Sequence, residues 1–209
     1  MPEPLILPAD RARSIERAVA LLRAGGIVGL PTDTVYGLGA HASIATAIER
    51  LYEIKGRERQ KAIPVLLART EDVTSVVSAV PEVARRLAER FWPGPVTLVL
   101  PKAPTLLDVL TGGADSVAVR VPAHAVTRRL ILALGAPLAT TSANLSGQRE
   151  ATTAQEVRQA LQDRVPLILD GGRCPGGVAS TVIDCTTIPP RLLRRGALAA
   201  EVAAFLALA

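Results

Sequence analysis

The chain has 209 residues, 49% of them hydrophobic and only 2% aromatic, with two cysteines and a formal charge of +5. That length suits a single domain over 1–209, with a core built from Ala, Val, Leu and Ile. The shortage of aromatics excludes a base-stacking platform, and Cys174 and Cys185, without CxxC spacing or a nearby histidine, speak for reduced thiols and against zinc. The basic balance suits a polyanion such as ATP or RNA, and suits solubility equally well. Against a background of arginine the three lysines stand out: Lys55, Lys61 and Lys102. Charged residues Glu3, Asp10, Arg11 and Arg13 occupy the place of a signal-peptide core, and no apolar run approaches a membrane span. The expectation is a cytoplasmic protein with no membrane contact.

In chain order, Ile15, Val19, Ala20 and Leu22 recur at helical spacing before Gly25 and Gly26, and Ile27 to Leu30 reads as a buried strand. The stretch GLPTDTVYGLGA, 29–40, then reads as a shaped turn closed by Gly37 and Gly39. Ser43 is placed to cap a helix carrying Ile44, Ala47, Ile48 and Leu51. An apolar run from Ile63 to Leu67 follows KGRERQK, and a helix from Glu82 to Arg90 ends at the punctuation WPGP. Val96 to Leu100 and Val117 to Val121 read as strands, Ala125 to Leu134 as a helix stopped by Gly135, and Pro137 to Thr140 as a strand running into SANLSG. Thr152 with Gln155 makes a capping-box pattern for a helix to Asp163. Leu167 to Asp170 and Thr181 to Cys185 are short strands, and Val202 to Leu208 is a closing helix. Alternating strands and helices mean an α/β fold with a mixed or largely parallel sheet, with ligands expected at loops beyond strand ends.

Several groups have chemistry to offer. Lys55, Arg57, Arg59 and Lys61 alternate, so an extended chain would line them up as a cationic strip for phosphate; a solvated helix end is the other reading. TSANLSG, 141–147, offers small donors that cradle phosphate or merely make a turn. There is no GxxxxGK[ST] and no GxGxxG after a strand, which excludes the two common nucleotide loops. Arg120, inside the apolar SVAVRVP, needs an anionic partner, either an internal carboxylate or one on a ligand. Ser180, Thr181 and Arg194 are open between ligand contact and simple turn or solvent roles. His41 and His124 have no evident partners for a catalytic triad.

Taken together, PTDTVYGLGA, KGR, FWPGPVTLVL, SVAVRVP, TSANLSG, GGVAST and LLRRG resemble, in order and spacing, the YrdC-like threonylcarbamoyl-AMP synthases over roughly residues 13–200. The resemblance implies an open, twisted mixed sheet flanked by helices, with a positively charged concave surface. It also implies a nucleotidyltransferase that condenses L-threonine, bicarbonate and ATP, accompanied by Mg²⁺, to threonylcarbamoyl-AMP and pyrophosphate. The product would pass to tRNA threonylcarbamoyl transferase proteins for N6-threonylcarbamoyladenosine formation; direct tRNA contact stays open. Position by position, it assigns Lys55, Arg57, Ser116, Ser142, Asn144 and Arg194 to ATP, with Lys55 and Arg57 catalytic. Thr32, Arg120, Thr140 and Ser180 fall to threonine, and no residue falls to a protein-held metal. Leu66 stands where some members have a histidine, and the length fits the short, single-domain form, whose closing loop would have to come from elsewhere. The alternatives are an RNA-binding module of the same fold without synthase activity and a related domain making another carbamoyl adenylate.

Overall fold

A computed structural model describes residues 4–207; the expected helix end at Leu208 and the N-terminal Glu3 lie outside them. Among the described residues ten strands form one continuous sheet: β1 (Leu5–Pro8), β2 (Val28–Leu30), β3 (Gly37–His41), β4 (Val65–Leu66), β5 (Val96–Pro101), β6 (Ser116–Arg120), β7 (Leu138–Ser142), β8 (Leu167–Asp170), β9 (Thr181–Asp184) and β10 (Arg191–Arg194). Their order is β1-β8-β2-β3-β7-β4-β6-β5-β9-β10. The sheet is mixed rather than largely parallel: β1/β8, β2/β8, β4/β6 and β5/β9 run parallel, while the other five neighbouring pairs are antiparallel.

Among the described residues seven α-helices flank it: α1 (Ala12–Arg23), α2 (Ala45–Lys55), α3 (Glu82–Phe91), α4 (Asp108–Thr111), α5 (Ala125–Leu134), α6 (Ala154–Leu161) and α7 (Ala199–Ala207). Because side chains alternate across a strand, each strand feeds two cores. Val28, Leu30, Leu138, Leu167 and Leu169 meet Ile15, Val19 and Leu22 of α1 and Leu130, Ile131 and Leu134 of α5. Their neighbours Ile27, Ala139 and Ile168 join the larger core with α2, α3, α6 and α7. The two helices on the first face reach only part of it. Farther along that face, past α5, the strands carry Thr97, Ala118, Arg120, Thr140 and Val182 in place of leucine, and the face is left open.

Periodicity locates most elements to within a residue or two; α5 and β8 have the expected bounds. Three strands, β1, β3 and β10, and the short α4 go beyond the sequence reading. The most consequential is β3. Gly37 and Gly39 do not close a turn by positive φ; they are strand residues opposite Leu30 and Val28, and 31–36 is a hairpin loop. What the glycines provide is close approach. A Cβ on Gly37 would come within 2.8 Å of Thr140 Cγ2, and one on Gly39 within 2.6 Å of Leu30 Cδ2 and 2.8 Å of Leu138 Cδ2.

Two caps also differ. Ser43 does not cap α2: Ile44 is the N-cap, and the Ser43 N–H donates to His41 Nδ1 at 3.2 Å. For α6 the box shifts by one residue from Thr152/Gln155 to Thr153/Glu156, where Thr153 Oγ1 accepts from the Glu156 N–H and the Glu156 carboxylate takes the Thr152 N–H. A charged acceptor at the positive end of a helix outcompetes the neutral Gln155. Gly39→Ala is expected to destabilise the protein by about 1–3 kcal/mol, because both leucines it would meet are fully buried and cannot swing away. Denaturant unfolding beside the wild type measures it.

Candidate active site

A cavity of about 340 Å³ sits on the open part of the sheet face. Its floor is strand rather than loop: Leu66, Thr97, Ala118, Arg120, Thr140 and Val182. The expected loops form the rim, with Thr32 to Gly37 on one side, Thr141 and Ser142 on another, Ala179 and Ser180 opposite, and Arg57, Glu150 and Arg194 completing it. Of the ten residues singled out from the sequence, Thr32, Arg57, Arg120, Thr140, Ser142, Ser180 and Arg194 border this space. Lys55 and Asn144 stand behind Ser142 and bond to it. Ser116 lies on the same strand face as Ala118 and Arg120 but outside the cavity wall.

The cationic strip does not form. Helix α2 runs through Lys55, and Gly56 turns the chain in the left-handed region, φ +58°, so the alternate residues never share an extended face. Arg59 pairs with Glu49 at 3.2 Å and Lys61 with Glu58 at 2.9 Å, both at the surface. Lys55 instead points inward and is 3% exposed. Its ammonium donates to Ser142 O at 2.7 Å, Asn144 Oδ1 at 2.7 Å and Ser142 Oγ at 3.3 Å, which uses all three N–H bonds. Ser142 Oγ donates to the same Asn144 Oδ1 at 2.7 Å, and Asn144 Nδ2 donates to Gln148 O at 2.6 Å. Lys55 therefore braces the S-A-N turn. Burial, with Arg57 adding to it, lowers the Lys55 pKa to about 8. Arg57 is held by two acceptors of its own segment, Lys61 O and Ala62 O, both at 3.1 Å.

The PTDT loop is ordered by its own threonines and by Arg120. Thr32 Oγ1 donates to Val35 O at 2.7 Å and accepts the N–H groups of Thr34 and Val35 at 3.1 and 3.3 Å. That hydroxyl, expected on a substrate, is spent on the turn. Arg120 donates to Asp33 Oδ1 at 2.5 Å, Thr34 Oγ1 at 3.0 Å and Gly94 O at 2.9 Å. Burial pushes the Arg120 pKa down and the Asp33 charge opposes it. Asp33 is thus the internal carboxylate that partners Arg120. Across the cavity Arg194 grips Ser180 through its carbonyl at 3.0 Å and its hydroxyl at 2.9 Å, and Ser180 Oγ lies 2.7 Å from Thr97 Oγ1. Burial also lowers the Arg194 pKa, with Glu150 countering.

Sequence reasoning passed over Thr34, Tyr36, Thr97 and Glu150. Thr97 carried a signal, since it is the one polar residue inside VTLVL, the same oddity that marks Arg120. Glu150 carried none; among the described residues it is the one carboxylate on the wall. Tyr36 lines the wall while its hydroxyl donates to Gly172 O at 2.8 Å, and burial raises its pKa. Cys185 lies away from the cavity, its thiol pushed up to about 12 by burial. His41 Nδ1 accepts a backbone bond, and His124 Nδ1 is buried without a hydrogen-bond partner among the described residues.

Sheet topology, an arginine-lined cavity and an S-A-N turn braced by a helix-ending lysine define an α/β domain with a cationic cavity above a strand floor. The family model of Sua5, YciO and YrdC domains, described as "Telomere recombination", matches residues 20–196, and the chain belongs to that family. A threonylcarbamoyl-AMP synthase of Pyrococcus abyssi is 45% identical over 187 residues, 90% of this chain and 55% of the relative. One from Bacillus subtilis is 42% identical over 188 residues, 90% of this chain and 54% of the relative. The crystal structure of P. abyssi Sua5 complexed with L-threonine superposes with a TM-score of 0.92 at 42% identity, covering 97% of this chain and 60% of that one. The chain thus spans a little over half the length of these relatives.

The Lys55 network carries a pH signature. Between pH 8 and 10.5 the unfolded chain keeps a proton that the folded lysine has released, so stability rises with pH across that window. Unfolding free energies measured from pH 7 to 10.5 are expected to shift in favour of the wild type relative to Lys55→Met as pH rises; parallel curves would remove the lowered pKa.

Proposed function

We propose that the chain is an L-threonylcarbamoyladenylate synthase, the activity carried in the names of its relatives. The observation that carries the reading is one cavity whose wall brings Arg57, Arg120 and Arg194 together with the hydroxyls of Thr34, Thr97, Ser142 and Ser180. Arg120, Thr34, Thr97 and Ser180 suit a small zwitterion, and Arg57, Ser142 and Arg194, backed by Lys55 and Asn144, suit phosphates. The volume is within the range of small-ligand sites.

In this reading the threonine carboxylate meets guanidinium N–H bonds of Arg120 that the protein leaves free, beside Thr140 and Ser180. The amine, once deprotonated, adds to bicarbonate with loss of water to give a carbamate. A carbamate oxygen then attacks the α-phosphorus, the bond to the bridging oxygen breaks, and pyrophosphate leaves with that electron pair. Arg57 and Arg194 stabilise the negative charge that builds on the phosphates, and Lys55 joins them by exchanging one of its internal bonds. No covalent nucleophile is required, so positioning supplies most of the remaining rate.

Mg²⁺ fits as a companion of ATP rather than as a resident ion. Among the described residues Glu150 is the one carboxylate on the wall, and no group of three His, Cys, Asp or Glu side chains gathers to hold a metal. Such a donor set suits an ion held by phosphate oxygens and waters with at most one protein ligand, where it supplies charge neutralisation. The adenylate would serve tRNA threonylcarbamoylation in the cytoplasm; among the described residues no helix is long and apolar enough to cross a membrane.

Pyrophosphate release from Mg·ATP is the test, with threonine and bicarbonate each present or omitted. Release is expected only with both, and Arg57→Ala is expected to lower it at least tenfold. ATP left intact under every condition, with tRNA bound tightly, would instead favour the RNA-binding module. Arg120→Ala is expected to raise the threonine KM about tenfold or more, the loss of a charge-assisted pair, while the ATP KM stays within about twofold.

A further inference from the structure

Asp33 has no part in the assignment above, yet it makes the shortest ion pair among the buried groups of the site. A guanidinium has five N–H bonds. In Arg120 the Nε–H goes to Gly94 O, one Nη1–H to Thr34 Oγ1 and one Nη2–H to Asp33 Oδ1. Two N–H bonds remain, and the side chain borders the cavity. The threonine contacts have a defined direction. Because the Thr32 proton goes to Val35 O, the proton shared between Thr32 and Thr34, 2.9 Å apart, comes from Thr34. The Thr34 oxygen is thereby free to accept from Arg120. Asp33 itself is not in the cavity wall, its side chain is 10% exposed, and its Oδ2 is buried without a protein partner. It stands behind Arg120 rather than on the wall, so its route to the cavity is through Arg120.

We propose that Asp33 is the positioning residue of the amino-acid subsite. Its carboxylate, with Thr34 Oγ1 and Gly94 O, fixes the plane and rotation of the Arg120 guanidinium so that the two unused N–H bonds face an entering carboxylate. This rests on the reading of the cavity as a threonine site. The physical basis is preorganisation: a planar fork held at three points loses little freedom when it engages a ligand, whereas a fork held at two must be ordered by the ligand. The pair also cancels its own charge in a dry setting. Selection for the ligand then comes from the direction of two N–H bonds rather than from net attraction.

Direction and charge can be separated by two substitutions. Asp33→Asn keeps an oxygen at the position of Oδ1 and removes the charge, while Asp33→Glu keeps the charge and moves the oxygens by one methylene. The measurements are threonine Kd by calorimetry, threonine and ATP KM in the pyrophosphate assay, and Tm as a check on folding. Positioning predicts a threonine Kd and KM within about threefold of wild type for Asp33→Asn and raised about tenfold or more for Asp33→Glu, with the ATP KM within about twofold in both. The reverse pattern, Asn impaired and Glu normal, overturns positioning in favour of charge compensation. Threonine and ATP KM rising together with a lowered Tm overturns it in favour of a purely structural pair. A wild type that binds threonine but releases no pyrophosphate refutes the synthase reading alone, and the threonine Kd values of the two variants still decide the role of Asp33. A wild type that binds no threonine refutes both.

Discussion

Arg120 ends an apolar strand at 6% exposure, where taking a lone guanidinium out of water costs several kcal/mol. Satisfying it ties three distant stretches together: the β2–β3 hairpin loop through Asp33 and Thr34, the turn before β5 through Gly94, and β6 itself. Lys55 repeats the arrangement on the other side, joining the end of α2 to the turn after β7. Each buried cation is thus a staple whose removal leaves several acceptors unpaired, and the cavity is the space between the two staples. The loops around it owe their shape to these charges more than to their own turn residues.

The location of the cavity follows from which part of the sheet the helices cover. Leu30, Leu138, Leu167 and Leu169 lie beneath α1 and α5, and their burial is what holds those helices down. On the same face Thr140 and Ser142 continue β7 beyond Leu138, and Thr97, Ala118 and Val182 continue the floor across β5, β6 and β9. A helix laid there would meet hydroxyls and a guanidinium and gain little. Strand parity, which sends Thr140 to the same side as Leu138, turns a change in composition along one strand into a boundary between core and site. The strands β3 and β7 approach closely only because Gly37 presents no Cβ to Thr140.

Much of this was legible in the sequence because it is local. Helical spacing in α5, β-branched runs in β5 and β6, and the expense of an arginine in SVAVRVP all report conditions that neighbouring residues impose. The strand β3 escaped because glycine and threonine in GLPTDTVYGLGA have turn chemistry, and only the leucines of β2 and β7 explain why the glycines are needed. The cationic strip failed for a related reason: alternation implies a common face only if the backbone is extended, and Gly56 sends it elsewhere. Asp33 and Arg120 are 87 residues apart, and no spacing rule pairs them. What chemistry demands of one residue can be read from a sequence; which residue meets the demand is a property of the fold.

The partners already in place also rank the groups that a ligand meets. Thr32 and Lys55 are saturated, so a ligand reaches them only by displacing a bond, while Ser180 Oγ, bonded to Arg194 and Thr97, keeps one hydrogen-bonding position. Arg57, Arg120 and Arg194 retain N–H bonds without acceptors and stand at the wall. An anion therefore meets three arginines first. Lys55, with its pKa lowered to about 8, is released from the S-A-N turn only by a ligand whose charge repays the exchange, because a nearby anion stabilises the ammonium that burial disfavours. A neutral nucleoside offers no such compensation and a triphosphate offers several charges. In the proposed synthase the buried lysine would therefore discriminate by charge, and the paired arginine on the far side by geometry.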